Sequence, residues 1–371
     1  MKLICQKCGK TYSLNEPRWQ CVCGSVLDIE FEPVFDLAKI KKREPTLWRY
    51  REAIPVQSDT NIVSFDEGFT PLAKVYFGGK AVFIKQDQLF ITGSFKDRGA
   101  SVLISKIKEL GIQKVVEDSS GNAGSAISAY CAQAGIDCHI FVPEDIAANK
   151  AAQIQYYGAK LNRIPGTRED TAAAARQAAE NIYYASHSGN PFFFQGTKTF
   201  AFEVCEQLGW KSPDTVILPV GNGTLLLGAA IGFNELLKAG ITDKTPRLVA
   251  VQSENCAPLY RAFRENLAEV PVIEKKETIA EGITVACPAK GNQIVAAVKQ
   301  SGGDFLIASD TEIITSLQEI GRQGYFIEPT SAVVIAGIKE YLSASSTGEV
   351  IVSVFTGHGL KATEKMLAIL K

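Results

Sequence analysis

The chain has 371 residues, of which 46% are hydrophobic and 21% charged, an ordinary composition for a globular protein large enough for two domains. The formal net charge is −1, which favours neither nucleic acid nor an anionic membrane as a partner. No apolar run approaches the length of a membrane span and the first residues lack the apolar stretch of a signal peptide, so a cytoplasmic location is expected.

Four of the nine cysteines lie near the start of the chain, in the pairs Cys5-x2-Cys8 and Cys21-x-Cys23. Four thiolates at such spacing are typical of a tetrahedral structural zinc site, although the second pair is one residue shorter than usual. The sequence therefore predicts a zinc-ribbon-like module over residues 1–30, and the alternative is a ribbon that packs without metal. The other cysteines are scattered through apolar segments, which favours reduced thiols over disulfides.

From residue 80 onward, apolar strand patterns alternate with amphipathic helix patterns. Several predicted strands are apolar throughout, as expected for parallel strands covered on both faces. The alternation predicts a doubly wound α/β architecture with two αβ lobes and a cleft between them. The strands are predicted over 81–85, 114–118, 137–142, 182–186, 214–220, 246–252, 304–308 and 349–355, and the helices over 97–110, 122–134, 147–157, 169–181, 197–208, 224–239, 292–301, 311–323 and 329–343.

The domain limits are predicted from the same pattern. Residues 31–110 and 187–371 are expected to form the large lobe, and residues 111–186 the smaller αβ lobe. Residues 31–75 are polar and aromatic, with several prolines, and are predicted to be irregular apart from one short helix.

Lys96 lies where a predicted strand leads into a predicted helix, in the run TGSFKDR over residues 92–98. The positive end of the helix dipole disfavours an ammonium there by about 0.3–1 kcal/mol, whereas a free amine or an imine has no such conflict. A lowered pKa is what a Schiff-base lysine requires. From this segment alone, an activated amine and a surface cation are equally well supported.

Two further strand-to-helix junctions are rich in glycine and small polar residues, and ligands gather at such places in parallel sheets. The run Ser119-Ser120-Gly121-Asn122-Ala123 offers backbone N–H groups to an anion such as a substrate carboxylate. The run Gly221-Asn222-Gly223-Thr224 lets the backbone approach a ligand, and the helix start favours a phosphate. Taken alone, the first run reads as an ordinary turn and cap, and the second is neither a P-loop nor a full G-x-G-x-x-G.

The last predicted strand, 349–355, leads into Thr356, whose neutral hydroxyl is expected in the cleft between the two predicted lobes. His139, His187 and His358 are the only histidines in the sequence. Proton transfer is therefore expected to fall to a lysine, a cofactor or the substrate. His358, between two glycines, is predicted to be structural or exposed.

Together these motifs resemble the fold-type II group of pyridoxal-phosphate enzymes, and within it most closely the threonine synthase family. The resemblance spans about residues 5–361, with the motifs in the expected order. Beside the runs at 92–98 and 119–123, it rests on Glu67-Gly68-Phe69-Thr70-Pro71-Leu72, Lys198-Thr199-Phe200-Ala201-Phe202-Glu203, Pro219-Val220-Gly221-Asn222-Gly223, Glu328-Pro329-Thr330-Ser331-Ala332 and Thr356-Gly357-His358-Gly359-Leu360-Lys361.

The resemblance implies a role for each motif. Lys96 would form the internal aldimine with pyridoxal 5′-phosphate and later move protons, and Asn122 would bond the ring hydroxyl of the cofactor. Thr356 would meet the pyridine nitrogen, where a neutral hydroxyl suits elimination and replacement chemistry. The cofactor phosphate would bind to Gly221, Asn222, Gly223 and Thr224, and the substrate carboxylate to Ser119, Ser120, Gly121, Asn122 and Ala123.

The resemblance also implies the reaction, which is conversion of O-phosphohomoserine and water to threonine and phosphate by γ-elimination and β-addition. Such a substrate needs a second anion site, for which Lys150, Thr167 and Arg168 are candidates, each also a plausible surface residue. A homodimer is expected from the fold type. The cysteine module resembles the ribbon that many threonine synthases carry, with a structural role.

Departures from the family pattern keep other reactions open. Phe90-Ile91-Thr92 stands where the family usually has Asn-Pro-Thr, and Thr-Leu-Leu-Leu follows Gly223 where many members have Gly-Asn. The alternatives are a β-replacement enzyme such as cysteate synthase, which uses phosphoserine and sulfite, and a serine/threonine dehydratase, which needs no second phosphate site.

Two interpretations lie outside this cofactor class. A nicotinamide-dependent oxidoreductase would use Gly221-x-Gly223 as its turn and Glu254 as its ribose acid, but the glycine spacing is broken and Lys96 stays unexplained. A binding protein without catalysis is disfavoured, because three polar loops are expected to converge on one cleft.

Overall fold

The computed structural model describes residues 1–146, 148–345 and 348–369. The chain divides into two compact units, Met1–Gly68 with Lys96–Thr199, and Phe69–Phe95 with Phe200–Lys371, which we call unit 1 and unit 2. Within the described ranges, no helix is both long and apolar enough to cross a membrane.

The strands and helices are numbered in chain order. The strands are β1 (Lys2–Ile4), β2 (Thr11–Tyr12), β3 (Asp28–Glu30), β4 (Leu72–Phe77), β5 (Lys80–Lys85), β6 (Lys114–Glu117), β7 (Asp137–Pro143), β8 (Lys160–Ile164), β9 (Tyr183–Tyr184), β10 (Thr215–Pro219), β11 (Arg247–Ser253), β12 (Asp304–Ala308) and β13 (Ile351–Val354). The helices are α1 (Leu37–Lys42), α2 (Lys96–Glu109), α3 (Asn122–Ala134), α4 (Ala148–Tyr156), α5 (Arg168–Ala178), α6 (Pro191–Thr197), α7 (Thr199–Gln207), α8 (Thr224–Lys238), α9 (Pro258–Arg264), α10 (Gly291–Gln300), α11 (Asp310–Arg322), α12 (Pro329–Ala344) and α13 (Thr363–Ile369).

Unit 1 contains two sheets. The cysteine module is a small antiparallel sheet in the order β2-β1-β3, and Leu3 and Leu27 from this module are buried in the same core as residues of α2 and α3. The second sheet is parallel throughout, in the order β8-β7-β6-β9. The carboxyl ends of the neighbouring strands β6 and β9 therefore lie at one edge of this sheet, and each leads into a loop that is described below.

Unit 2 is built on one sheet in the order β12-β11-β10-β13-β5-β4. Its strands are parallel except for β4, which pairs with β5 in antiparallel register. Every residue of β10 is buried, as predicted for an apolar strand that is covered on both faces. The central neighbours β10 and β13 end in the loops that begin at Val220 and Phe355.

A buried polar network lies at the end of β5 in unit 2. The Lys85 ammonium is completely buried and donates to Glu203 Oε2 at 2.7 Å, to the Thr70 carbonyl at 2.6 Å and to Gln207 Oε1 at 2.8 Å. Three acceptors match the three protons of an ammonium, so the buried charge is both paired and hydrogen bonded. Two of the sequence motifs, around Thr70 and Glu203, therefore have a structural role.

The predicted α/β architecture is confirmed, and each predicted strand and helix is present with limits that differ by up to about three residues. Residue 147, the predicted start of one helix, lies outside the described residues. The strands β1, β2 and β3 of the cysteine module, the strands β4 and β8, and the short helices α6, α9 and α13 were not predicted. The units also divide the chain differently from the predicted domain limits, because α2 packs against α3 and α6 and so belongs with the smaller sheet.

Candidate active site and cysteine cluster

Lys96 is the first residue of α2, as its position in the sequence predicted. Its side chain is half-buried, and Nζ lies over the Phe193 ring, 5.7 Å from the ring centroid. Gly99, one turn along α2, makes room for this ring, since a Cβ there would come within 2.3 Å of Phe193 Cε1. The amine is therefore held against an aromatic face at the start of a helix.

In unit 2, the residues that precede Lys96 in the chain are anchored to the end of β13. The Phe95 N–H donates to the Thr356 carbonyl at 2.9 Å, and the His358 N–H donates to the Gly93 carbonyl at 2.9 Å. Ser94 is completely buried, and its Oγ has no hydrogen-bonding partner among the residues that the structure describes. A buried hydroxyl of this kind requires a partner that the protein itself does not supply, such as a ligand atom or a water.

Thr356 is buried at the end of β13, and its hydroxyl is paired with that of Ser331. The Ser331 Oγ accepts the N–H groups of Thr356 at 2.7 Å and of Gly357 at 2.9 Å, and lies 2.9 Å from Thr356 Oγ1. Two accepted bonds occupy both lone pairs of Ser331, so its own proton is donated. Its two acceptors are Thr356 Oγ1 at 2.9 Å and the Gly357 carbonyl at 3.4 Å, of which Thr356 Oγ1 is the nearer. With this nearer bond made, the Thr356 proton is directed to a further acceptor.

The loop Gly221-Asn222-Gly223-Thr224 connects β10 to α8 in unit 2. Gly223 has φ of +68° and caps α8 without a side chain, so the first N–H groups of the helix receive no side-chain bond from the cap position. A Cβ on Gly223 would come within 2.3 Å of Ile294, and one on Gly221 within 2.8 Å of the Ile283 Cα. Both glycines are therefore required by packing, and by φ at Gly223, before any ligand is considered.

The loop Ser119-Ser120-Gly121-Asn122-Ala123 connects β6 to α3 in unit 1. Asn122 is the first residue of α3, and Gly121 caps this helix without a side chain. A Cβ on Gly124 would come within 1.9 Å of the Ser119 carbonyl oxygen, so a glycine is required for the loop to fold over the start of α3. The half-buried loop thus offers backbone N–H groups at a helix start, which is the arrangement that binds carboxylates and phosphates.

Two buried acidic residues at the edge of this sheet were missed by the sequence analysis. The Glu117 carboxyl group lies 2.6 Å from Nδ1 of His187 and also accepts the His187 backbone N–H at 3.3 Å. Asp118, the next residue, accepts a 2.7 Å hydrogen bond from Nη2 of Arg168. One feature of the sequence could have indicated these residues. Glu117 and Asp118 lie at the end of the predicted strand β6, and His187 follows the predicted strand β9.

The three residues predicted for a substrate phosphate have different surroundings. Thr167 caps α5, where its hydroxyl and backbone N–H are both engaged with Asp170. Arg168 pairs with Asp118 through Nη2, whereas its Nη1 is buried and has no hydrogen-bonding partner within the described part of the chain. Lys150 belongs to α4, but its side chain lies outside the described residues.

The four N-terminal cysteines lie together. Their sulfur atoms are all within 4.8 Å of one another, with 3.6 Å from Cys5 to Cys23 and 3.5 Å from Cys8 to Cys21. Four sulfurs at about 2.3 Å from a central zinc ion, in a tetrahedron, are about 3.8 Å apart. The cluster therefore has the size and donor set of a structural zinc site.

The short second cysteine pair forms a tighter version of the first knuckle. The Gly9 N–H donates to the Cys5 carbonyl four residues earlier, and the Gly24 N–H donates to the Cys21 carbonyl three residues earlier, both at 2.9 Å. Both glycines have positive φ, of +74° and +80°. A turn shortened by one residue thus still brings the second sulfur of the pair, on Cys23, to the cluster.

Contacts within the cluster shift two of the thiols in opposite directions, since the pKa of Cys21 is lowered and that of Cys8 is raised to about 11. Burial raises the pKa of Cys21, but the backbone N–H of Cys23, the Tyr12 hydroxyl and the neighbouring thiols donate to its sulfur and bring the pKa down to about 6. The Tyr12 hydroxyl lies 3.1 Å from this sulfur. A thiolate is the form that binds a metal ion.

A comparison with known protein families identifies the cofactor class. The family model described as "Pyridoxal-phosphate dependent enzyme" matches residues 63–357, which is most of the chain. The chain is 38% identical to the threonine synthase of Methanocaldococcus jannaschii over 96% of its own length and 92% of that protein. It is 33% identical to the threonine synthase of Methanosarcina acetivorans, over 99% of its own length and 94% of that protein. The chain therefore belongs to the pyridoxal-phosphate dependent enzyme family.

Solved structures give the same fold. A threonine deaminase from Solanum lycopersicum matches with a TM-score of 0.70 at 19% identity and covers 92% of the chain and 91% of its own. A fungal L-serine ammonia-lyase from Rhizomucor miehei matches with a TM-score of 0.71 at 21% identity, and the match covers 81% of the chain and 97% of the lyase. These structures confirm the predicted fold-type II architecture, and the family model together with the threonine synthase relatives confirms the predicted pyridoxal phosphate.

Proposed function

We propose that this protein is a threonine synthase, which converts O-phosphohomoserine and water to threonine and phosphate with pyridoxal phosphate as cofactor. The observation that carries the proposal is the similarity to two threonine synthases at 33% and 38% identity over nearly the whole length of each. The threonine deaminase and L-serine ammonia-lyase structures are 19% and 21% identical to the chain and support the fold alone. The dehydratase and β-replacement alternatives are therefore not favoured.

The residues present fit pyridoxal phosphate. The Thr356 proton, which the Ser331 hydroxyl directs to a further acceptor, suits an unprotonated pyridine nitrogen. The start of α8 at 221–224 offers N–H groups and a helix dipole to the cofactor phosphate. When bound, the cofactor supplies the electron sink that stabilises negative charge on substrate carbons.

The remaining roles belong to residues of unit 1. Nζ of Lys96 would bind the cofactor and afterwards accept and return protons. The start of α3, from Ser119 to Ala123, would bind and orient the substrate carboxylate through its N–H groups, and Asn122 would bond the cofactor hydroxyl. These assignments are supported by the helix-start geometry of the loop and by the position of Lys96.

For the substrate phosphate, Arg168 is the candidate that the surroundings support best. Its buried Nη1 has no hydrogen-bonding partner among the described residues, and the Asp118 contact through Nη2 fixes the orientation of the guanidinium. Thr167 serves as the cap of α5 instead, which leaves its hydroxyl without a spare bond for a phosphate in this arrangement. Lys150 stays a candidate from the sequence.

We also propose that Cys5, Cys8, Cys21 and Cys23 bind one structural zinc ion. The spacing of the sulfurs and the lowered pKa of Cys21 support this assignment. Four thiolates complete a tetrahedral site, so the ion would have no open position and no catalytic role. A homodimer in the cytoplasm, without nucleic-acid partners, is proposed on the resemblance and the charge balance.

The test of the proposed function is an assay of the purified protein with O-phosphohomoserine. Release of phosphate must be matched by formation of an equal amount of threonine, and the Lys96→Ala variant must show neither. Reaction with phosphoserine and sulfite, with no turnover of O-phosphohomoserine, would establish the β-replacement alternative. Formation of 2-oxobutanoate from threonine would identify a dehydratase.

A further inference from the structure

The proposed function leaves one buried pair of titratable side chains without a role. Glu117 is completely buried and His187 is 7% exposed. They lie next to the carboxyl ends of the adjacent parallel strands β6 and β9, 70 residues apart in sequence. Glu117 is hydrogen bonded to His187 twice, at Nδ1 of the ring and at the backbone N–H, so the imidazole is fixed in one orientation.

A chain of ring contacts leads from this pair to Lys96. The His187 ring packs edge-on against the Phe193 ring, with 6.1 Å between ring centroids and an interplanar angle of 73°. Nζ of Lys96 lies 5.7 Å from the centroid of the same Phe193 ring. The pair is therefore one aromatic ring removed from the amine that would bind the cofactor.

The charged and titratable groups that face the pair come from four elements of unit 1. Burial raises the pKa of the Glu117 carboxyl well above its ordinary value, Asp118 adds to the rise, and Arg168 and Lys96 oppose it. Burial lowers the pKa of the His187 imidazole well below its ordinary value, and the charges of Lys96 and Arg168 act in the same direction. Tyr184, whose pKa burial raises, faces the same carboxylates.

Both directions favour the uncharged forms, a protonated carboxyl and a neutral imidazole. The carboxyl then donates to Nδ1, so the ring carries its proton on Nε2. The interaction with Lys96 is reciprocal. Because an ammonium on Lys96 favours the ionised form of Glu117, an ionised Glu117 must equally favour the ammonium on Lys96.

We propose that Glu117, held by His187, is a positioning residue that compensates the charge of Lys96. The carboxyl gives up its proton when Nζ becomes an ammonium and regains it when Nζ becomes an uncharged amine. In this exchange the O–H bond of Glu117 breaks, an N–H bond forms on Nζ, and the summed charge of the two groups stays at zero. The inference rests on the proposed function, in which Lys96 alternates between these two states.

The experiment measures how fast the full-length protein, freed of cofactor, takes up pyridoxal phosphate between pH 6 and pH 10. Uptake is followed by absorbance and requires the uncharged amine of Lys96. In Glu117→Gln no anion can form, so half-maximal uptake should move about one pH unit lower, since a charge several ångströms away shifts a pKa by about that much. Glu117→Asp, which restores a carboxyl, should return the profile to that of the wild type.

Asp137→Asn is the matched control. Asp137 belongs to β7 of the same unit, its side chain is 40% exposed, and its loss removes one carboxylate without an effect expected on the profile. A Glu117→Gln profile that superimposes on the wild type would overturn the inference. Glu117→Met, a second neutral variant, must shift the profile in the same direction if the effect is electrostatic.

A measurement on the wild type needs no folded variant. Infrared difference spectra of the cofactor-free protein between pH 6 and pH 10 should show a protonated-carboxyl band that grows as the pH rises and Lys96 loses its positive charge, and an unchanged band contradicts the proposal. The inference and the proposed function fail differently. A wild-type protein that takes up no pyridoxal phosphate refutes the proposed function, whereas normal uptake with identical profiles refutes the role of Glu117.

Discussion

The hydroxyl of Ser331 lies 2.9 Å from that of Thr356 and at the same time accepts two backbone N–H groups, those of Thr356 and Gly357. One side chain at the start of α12 therefore fixes both the backbone and the hydroxyl direction at the end of β13. Ser331 lies within a motif that supported the family resemblance, yet no role could be assigned to it from sequence. In the structure it orients the group that is proposed to meet the cofactor.

Replacing Ser331 by alanine should destabilise the protein. Both N–H groups would be left buried without an acceptor, at a cost of about 2 kcal/mol in the free energy of unfolding. Urea denaturation measures this loss. Ser343→Ala is the control in the same helix, because Ser343 is exposed, and its effect should stay within about 0.5 kcal/mol. Equal effects of the two variants would contradict the proposed role of Ser331.

Replacing Thr356 by valine should weaken cofactor binding. The substitution keeps the shape of the side chain and removes the hydroxyl that is oriented by Ser331, and one hydrogen bond of about 1 kcal/mol corresponds to roughly a fivefold rise in Kd for pyridoxal phosphate. Titration of the cofactor-free protein, followed by absorbance, measures the Kd. Thr356→Ser keeps the hydroxyl and should bind within about twofold of the wild type.

Gly223 and Gly240 offer a comparison between backbone strain and packing. Both have φ of +68°, but a Cβ on Gly223 would come within 2.3 Å of Ile294, whereas one on Gly240 would meet no described atom within 4 Å. Gly240→Ala should cost about 1 kcal/mol for the backbone alone. Gly223→Ala should cost about 2 kcal/mol more, because the side chain of Ile294 must move. Calorimetry of the two variants separates the cost of the backbone conformation from the cost of packing.

The zinc proposal predicts about one zinc ion per chain in protein purified under reducing conditions without chelator. Cys8→Ser should abolish the metal content, because three thiolates bind zinc less tightly than four. Cys287→Ser is the control, since Cys287 is exposed and lies outside the cluster. Metal analysis of the three proteins decides, and wild-type protein without zinc would leave the ribbon as a fold that packs on its own.

Local features of the site could be predicted from the sequence, whereas contacts between distant residues could not. The cysteine cluster and the loops at 119–123 and 221–224 are continuous or closely spaced runs. In the structure the four sulfurs lie together, and each of the two loops leads into the helix that was predicted for it. The pair of Ser331 and Thr356 joins residues 25 apart, and Glu117 and His187 are 70 apart. Without an alignment, nothing in a single sequence links such residues.

Outside the cysteine module, the two missed strands share a physical property, their exposure. Both β4 and β8 are edge strands with few buried residues, two in β4 and none in β8, whereas the predicted edge strands β9 and β12 are mostly buried. A strand is predicted from the alternation or continuity of its apolar residues, and a partly exposed edge strand shows neither clearly. The central strands, such as β10, are buried throughout and were predicted with limits within about a residue.

Arg43 and Glu52 form an ion pair whose contribution to stability depends on pH. The guanidinium donates to both carboxylate oxygens at 2.6 Å, and this bond lowers the pKa of Glu52 from 4.5 to about 2, against a smaller opposing effect of burial. A carboxyl with a lowered pKa stabilises the folded state above its unfolded pKa of about 4.5 and loses that contribution as the pH falls toward 2.

The Glu52→Gln variant should therefore be less stable than the wild type by about 1 kcal/mol at pH 6, a value discounted for the partial exposure of both side chains. The difference should shrink between pH 4.5 and pH 2, because the wild-type carboxyl becomes protonated there. Unfolding by urea at a series of pH values measures it. Glu265→Gln, which removes a more exposed carboxylate paired with Arg261, should show a smaller difference at pH 6. A Glu52→Gln difference that persists unchanged at pH 2 would show that the pair acts through packing and not through charge.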